Sequence, residues 1–101
     1  MGTRATVHFV NAEGMETIVY RHWDGYPEGL GTDLKAFLKS EQAECAETVA
    51  DLVDYWRTCE VANGDNPEIL DDDPMDIEYR YTIRHGKGLA LQPMIEEVRP
   101  H

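Results

Sequence analysis

The chain has 101 residues, of which 42% are hydrophobic and 29% charged, and this is the length of one domain. Its 20 acidic residues outnumber 9 lysines and arginines and give a formal net charge of -11, which argues against direct binding to nucleic acid or an anionic membrane, because both would repel it. No apolar run approaches the roughly 18 residues of a membrane span, and the N-terminus lacks the apolar core of a signal peptide. We therefore expect one soluble domain over residues 1–101, located in the cytoplasm.

Strand periodicity is present in the first 22 residues. Side chains alternate in character over 3–10, and the alternation resumes over 15–22. The residues at 11–14 have the composition of a tight turn, so a β-hairpin is predicted. The two faces of the first strand carry different side chains: Ala5, Val7 and Phe9 on one, and Thr6, His8 and Val10 on the other.

Two helices are predicted after a glycine-rich loop. The first covers 32–40, and the hydroxyl of Thr32 can cap its free N–H groups. The second is predicted as one continuous helix over 41–62, because apolar residues recur there at steps of three and four. Cys45 and Cys59 would then lie about 21 Å apart on one helix, which is too far for a disulfide, so both are expected to be free thiols.

The C-terminal part returns to strand periodicity. Residues 64–74 are predicted to be an acidic loop with one short turn. Tyrosine and isoleucine alternate with charged and polar residues over 77–84, and a turn at 85–88 and a strand over 89–94 follow. The order ββααββ predicts an α+β domain, an antiparallel sheet of about four strands with two helices on one face.

The negative charge is concentrated in one part of the chain. Residues 41–78 hold 13 acids and one base, Arg57, a net charge of -12, whereas the rest holds 7 acids and 8 bases, a net charge of +1. On the predicted second helix, carboxylates three or four residues apart form a stripe opposite the apolar residues: Glu44, Glu47, Asp51 and Asp54. The following loop extends this field with Asp71, Asp72 and Asp73. Carboxylates about 5 to 6 Å apart are spaced like the phosphates of a nucleic-acid strand.

The acids do not by themselves require a partner. A solvated helix face with a polar loop would carry them equally well, although like charges at i, i+4 cost about 0.2 to 0.5 kcal/mol per pair. An EF-hand calcium loop is excluded, because the sixth and twelfth positions from Asp71 hold Asp76 and Thr82 instead of glycine and glutamate. Beyond weak surface binding of Ca²⁺ by Asp71 and its neighbours, no metal centre is expected, and no cofactor is required.

The segment YRHWDGYPEG, residues 20–29, is a second candidate site. Arg21 could bind an anion, and His22 and Asp24 could form an acid/base pair, with Trp23 beside them and Tyr26 stacking on a ligand. No second motif supplies a nucleophile or an oxyanion hole. A purely structural role is also open, in which Trp23 and Tyr26 fill the junction between sheet and helix and the remaining residues shape the turn.

The same segment resembles the Tyr-x-His-Trp-Asp-Gly-Tyr-Pro-x-Gly stretch of small proteins found in bacteriophages and mobile elements. The resemblance covers the ten residues 20–29 and the arrangement of strands, loop and helix before and after them. It implies a phage or prophage origin. Small size, strong acidity and such an origin together resemble anti-CRISPR proteins, several of which present carboxylates where DNA would lie. This class similarity implies action in the cytoplasm of a bacterial host.

These observations lead to one functional hypothesis and two rivals. The hypothesis is a phage-derived, non-enzymatic inhibitor that binds the basic nucleic-acid channel of a host defence complex, in particular a CRISPR effector. As a partial DNA mimic it would block binding of target DNA. One rival is a small-ligand-binding module or small enzyme that uses the loop of Arg21, His22, Asp24 and Tyr26. The other is an acidic subunit that keeps a complex soluble. The protein is expected to be a monomer or a dimer.

Overall fold

The chain folds as an α+β structure in which helices follow a β-hairpin. The computed structural model describes residues 4–11, 13–62, 67–74, 77–84 and 94–97. Its elements are β1 (Ala5–Val10), β2 (Glu16–Arg21), a π-helical turn (Pro27–Gly31), α1 (Thr32–Leu38), α2 (Glu41–Cys45), α3 (Val49–Ala62), β3 (Glu68–Leu70), β4 (Tyr79–Arg84) and β5 (Met94–Glu97). The predicted α+β class is confirmed. Within these ranges, no helix combines the length and the apolar character that crossing a membrane requires.

The first hairpin forms where the sequence predicts it. β1 pairs antiparallel with β2 along its whole length. Asn11 closes the turn, because its side-chain Oδ1 accepts hydrogen bonds from the backbone N–H groups of Glu13 and Met15, both at 2.9 Å. Gly14 has a φ of 86°, in the left-handed region that glycine adopts without steric cost.

The sheet is predicted as antiparallel with about four strands, and the structure differs from this in one parallel pairing. The described residues form a five-stranded sheet in the order β3-β2-β1-β4-β5, and β4 runs parallel to β1. The reason is β3, a three-residue strand inside the stretch that the sequence marks as a loop. β3 pairs antiparallel with β2 and therefore runs in the direction of β1, as does β4. The chain must cross the sheet between β3 and β4.

The C-terminal predictions are only partly covered by the structure. β4 confirms the strand predicted over 77–84. The turn predicted at 85–88 lies outside the described residues. Of the strand predicted over 89–94, only Met94 is described, and it begins β5.

The continuous helix predicted over 41–62 is wrong, because two helices occupy this range. α2 ends at Cys45, and Ala46 has an extended ψ of 120°. Side-chain caps explain both starts: Ser40 accepts a hydrogen bond from the N–H of Ala43 at 3.4 Å, and Thr48 accepts one from the N–H of Asp51 at 3.2 Å. The apolar spacing continues across the break, so periodicity alone does not reveal it.

Two smaller predictions also change. Thr32 does not cap α1, because the π-helical turn runs directly into that helix, and the Thr32 hydroxyl donates to the carbonyl of Pro27 at 3.4 Å.

Cys45 and Cys59 are free thiols. They lie on different helices, so the distance argument from a single helix does not apply. The Cys59 Sγ lies 3.3 Å from Gln42 Oε1, which places α2 against the C-terminal half of α3.

The helices share a core with one face of the sheet. Ala5, Val7 and Phe9 of β1 are completely buried. Their partners in this core include Leu34, Phe37, Leu52, Val53 and Trp56 of the helices. The opposite face of β1 is buried as well, since Thr6 is 0% and His8 6% exposed. β1 therefore needs a covering layer on both sides.

A substitution at Gly29 measures how tightly the turn before α1 is packed. A Cβ at this position would lie 2.5 Å from the carbonyl oxygen of Asp24, so we expect Gly29→Ala to lower the free energy of unfolding by about 1 to 3 kcal/mol. Urea denaturation measures the change. Glu28→Ala alters the exposed neighbour in the same turn and should stay within about 0.5 kcal/mol of the parent protein. Equal stability of the two variants would show that the turn has room for a side chain.

Candidate functional site: an acidic surface and a polar sheet face

The structure does not place the predicted acidic stripe on one helix. Glu44 lies on α2, Glu47 in the break that follows, and Asp51 and Asp54 on α3. Asp51 is half-buried and helps to fix the break, because its Oδ2 accepts a hydrogen bond from the N–H of Glu47 at 3.3 Å. Glu44, Glu47 and Asp54 remain exposed.

Glu44, Glu47 and Asp54 form no ion pair with a described residue. The ion pairs between described residues involve His8, Arg21 or Arg80, and none reaches Glu44, Glu47 or Asp54. Asp71 and Asp72 are also exposed and are joined to no basic side chain of this part of the chain. The helical layer, which comprises α1, α2 and α3, and the chain directly after β3 therefore carry exposed carboxylates that form no ion pair with a described cation.

Asp73, the third acid of the predicted loop, is directed inward instead. It lies on the crossover between β3 and β4 and contacts β1 and β4 on the sheet face opposite the helical core. Its Oδ1 accepts hydrogen bonds from the Thr6 hydroxyl at 2.5 Å and from His8 Nε2 at 2.7 Å. Its Oδ2 accepts one from Arg80 Nη1 at 3.1 Å. The carboxylate is thus engaged within the fold and covers the second face of β1.

His8 connects this network to β2. Its Nδ1 lies 3.2 Å from Glu16 Oε2 and its Nε2 lies 2.7 Å from Asp73 Oδ1, and only 8% of the side chain is exposed. In the imidazolium form both nitrogens donate, so each carboxylate receives a hydrogen bond. The sequence carries no signal for this pairing, because Asp73 is 65 positions away from His8.

The environment of Asp73 favours its charged form. Burial alone would raise the pKa of this carboxyl group. The hydrogen bonds from Thr6 and His8, followed by the charges of His8 and Arg80, outweigh burial and hold the pKa below its ordinary value of 3.8. Asp73 therefore stabilises the folded chain as an anion.

A cavity of about 530 Å³ opens beside this network. Its lining combines the apolar side chains of Ile18, Ile69 and Leu70 with polar Thr17, His8 and Arg80 and four carboxylates: Glu16, Asp71, Asp72 and Asp73. Four carboxylates outnumber Arg80 and His8 in this lining and make the cavity electronegative. Among the described residues, no group of three or more histidine, cysteine or acidic side chains is arranged to hold a metal ion.

In the predicted aromatic site, Arg21 is already paired. Its Nη1 lies 2.9 Å from Asp33 Oδ2 and 3.3 Å from Oε2 of Glu60, a residue of α3 that is 2% exposed. Its Nε donates to the carbonyl of Trp23 at 2.9 Å. Arg21 therefore joins the end of β2 to α1 and α3.

His22 and Asp24 are not brought together as an acid/base pair. His22 Nδ1 lies 3.1 Å from the Tyr20 hydroxyl, whereas Asp24 Oδ1 accepts a hydrogen bond from the Tyr26 hydroxyl at 3.3 Å. The negative charge of Asp24 raises the pKa of Tyr26 above its ordinary value of 10.0. Asp24 has a φ of 54°, and its carbonyl accepts a hydrogen bond from the N–H of Leu30 at 2.8 Å. This geometry matches a structural role for Asp24 in shaping the turn.

The structural role predicted for the two aromatic residues is wrong. Trp23 is 53% and Tyr26 37% exposed, so neither fills the junction between sheet and helix. Completely buried Tyr81 occupies that region and donates a hydrogen bond to the carbonyl of Gly25 at 2.5 Å. The His22 ring packs edge-on against Trp23, with the ring centroids 4.8 Å apart.

No protein-family model, curated protein or solved structure matches the chain. The resemblance of residues 20–29 to phage and mobile-element proteins therefore stays a prediction. The geometry and charge of the chain itself are what bear on its function.

Asp73→Asn tests the polar network through its pH dependence. The pKa of Asp73 is lowered in the folded chain, so the unfolded chain binds the proton more readily. The stabilisation is therefore present above the ordinary pKa of 3.8 and is lost as the pH falls through the folded-state pKa. We expect the variant to lose about 1.5 to 3 kcal/mol at pH 7, the range for hydrogen bonds to a charged group.

The difference from the parent protein should shrink as the pH falls below about 4, which thermal unfolding across pH measures. Asp72→Asn makes the same change at the exposed neighbouring position and should alter stability by less than about 0.5 kcal/mol. A loss at Asp73→Asn that did not vary with pH would contradict the assigned role of its charge.

Proposed function

We propose that this protein is a non-enzymatic, acidic inhibitor that binds a basic nucleic-acid-binding surface of a partner complex. One observation carries the proposal: the exposed carboxylates Glu44, Glu47 and Asp54 are joined to no cation of the described chain. By contrast, acids that the fold buries are paired, as Glu60 is with Arg21. A basic partner would supply the counter-charges that the helical layer lacks.

The division of the acids over α2, the break and α3 refines the proposed mimicry. Carboxylates on separate elements replace a few phosphates of a bound strand, not a continuous row of them. Asp71 and Asp72 add charge on the crossover, whereas Asp51 and Asp73 contribute mainly by fixing the local structure. The protein is therefore a partial DNA mimic in this proposal, and the rest of its interface is shaped by the partner.

The partner class follows from charge and from the sequence resemblance. A net charge of -11 steers association with a positively charged channel and disfavours nucleic acid itself. The resemblance to phage proteins, and to anti-CRISPR proteins as a class, favours a bacterial defence complex that holds DNA, in particular a CRISPR effector. Blocking of that channel needs no catalytic residue and no cofactor.

The rival sites receive less support. Arg21, which would bind an anion in the aromatic loop, is engaged by Asp33 and Glu60, and the partners of His22 and Asp24 are two different tyrosines. An acidic subunit that only improves solubility would depend on total charge and not on where the charge lies. Charge reversal at two different places on the surface separates that rival from the proposal.

Charge reversal on the helical layer should abolish partner binding. We expect tagged protein to capture a nucleic-acid-binding complex from bacterial lysate at about 0.1 M salt, and Glu44→Lys with Glu47→Lys to reduce capture at least about tenfold. The control is Glu13→Lys with Glu28→Lys, which makes the same change in net charge. Both residues are exposed, and both lie outside residues 41–78. It should retain the partner, which quantitative mass spectrometry measures.

Two further conditions make the result decisive. Excess duplex DNA should displace the partner, and raising the salt to about 0.5 M should release it, because the Debye length falls from about 10 Å at 0.1 M toward 3 Å at 1 M. Equal capture by both charge-reversed proteins, or a partner indifferent to duplex DNA, would refute the proposal.

A further inference from the structure

The cavity beside His8 is the concave part of the sheet face that lies opposite the helical core. We call it the sheet-face groove, and its lining includes His8, Glu16, Ile18, Leu70, Asp72 and Arg80. We propose that this groove receives an arginine side chain of the protein partner. The inference rests on the proposed function in one respect, namely that the partner surface is basic.

The lining of the groove is complementary to a side chain with an apolar stem and a cationic end. Ile18 is buried and Leu70 half-buried on neighbouring strands, where they can cover an aliphatic stem. Asp71 and Asp72 follow directly at the rim and are exposed. A volume of about 530 Å³ lies within the range of sites that enclose small organic groups. Asp71 and Asp72 at the rim disfavour an incoming anion.

Within the groove, the charge of Asp73 is already balanced by groups of the fold, and this determines where an incoming cation can bind. Asp73 receives hydrogen bonds from Thr6, His8 and Arg80, so its charge is balanced within the fold. The carboxylates that remain for an incoming group are those of the rim, chiefly Asp71 and Asp72. A cation therefore binds with its stem along Ile18 and Leu70 and its charge at the rim.

Arginine fits this arrangement better than lysine. A guanidinium is planar and presents its donors as a fork, so it can pair with two neighbouring carboxylates at once. It is also more weakly hydrated than an ammonium group, which lowers the cost of entering a half-enclosed groove. Arginine is common in basic surfaces that recognise phosphate, so such a partner offers the side chain required.

The test uses the full chain and a short glycine–serine peptide with one central arginine. NMR titration with isotope-labelled protein should show shifts at the His8 ring and the Ile18 methyl groups. The same peptide with citrulline, which keeps the shape and removes the charge, should bind at least about tenfold more weakly. Asp71→Asn with Asp72→Asn should weaken binding of the arginine peptide about tenfold. Glu44→Gln with Glu47→Gln makes the same charge change on the helical layer and should leave the affinity for this peptide unchanged.

Several outcomes would overturn the inference. They are equal binding of the arginine and citrulline peptides, loss of binding in the helical variant instead of the groove variant, and tight binding of free spermidine in the groove without binding of the arginine peptide. The peptide assay contains no partner complex, so it is independent of the capture experiment. If capture depends on Glu44 and Glu47 but the peptide fails to bind, the helical surface stands and the groove is discarded.

Discussion

The parallel pairing of β1 with β4 determines how this molecule is built. β3 and β4 run in the same direction on opposite sides of the β1–β2 hairpin, so the chain between them must cross two strands. The crossing spans three interstrand intervals, about 14 Å, and residues 71–78 can reach at most about 27 Å when extended. A link of this length can make the crossing. Asp73 holds this link against the sheet, because its carboxylate accepts hydrogen bonds from Thr6 and His8 of β1 and from Arg80 of β4.

Two populations of acids with different physical roles can be distinguished. Glu60 is buried and Asp73 half-buried, and each is paired with an arginine, so each joins one part of the chain to another. Glu44, Glu47, Asp54, Asp71 and Asp72 are exposed and are left without basic partners in the described chain. The first population joins elements of the fold to one another, and the second contributes to a negative surface. The proposed binding to a basic partner rests on this second population.

Local signals in the sequence predict most of the sheet but little of the site. Alternation locates β1, β2 and β4, and Asn11 and Gly14 locate the hairpin turn, because these features depend on neighbouring residues. β3 has only three residues between acids and proline, too few for a period to show. The break between α2 and α3 is missed because its apolar spacing runs on, and only Ser40 and Thr48 mark the caps. The pairing of His8 with Asp73 is missed for a different reason, because the two residues are far apart in the sequence and close only in the folded chain.

The central position of β1 also sets an order for folding during synthesis. β1 leaves the ribosome before the other strands of this sheet and can pair with β2 as a local hairpin, but its other edge pairs with β4, which places Ala5 beside Tyr79. That edge therefore stays open while most of the chain is made, and contacts so distant in sequence form slowly. An unpaired edge on an apolar strand is the kind of surface at which nascent chains aggregate. The acidic segment that emerges between β2 and β4 adds repulsion between neighbouring chains during this interval.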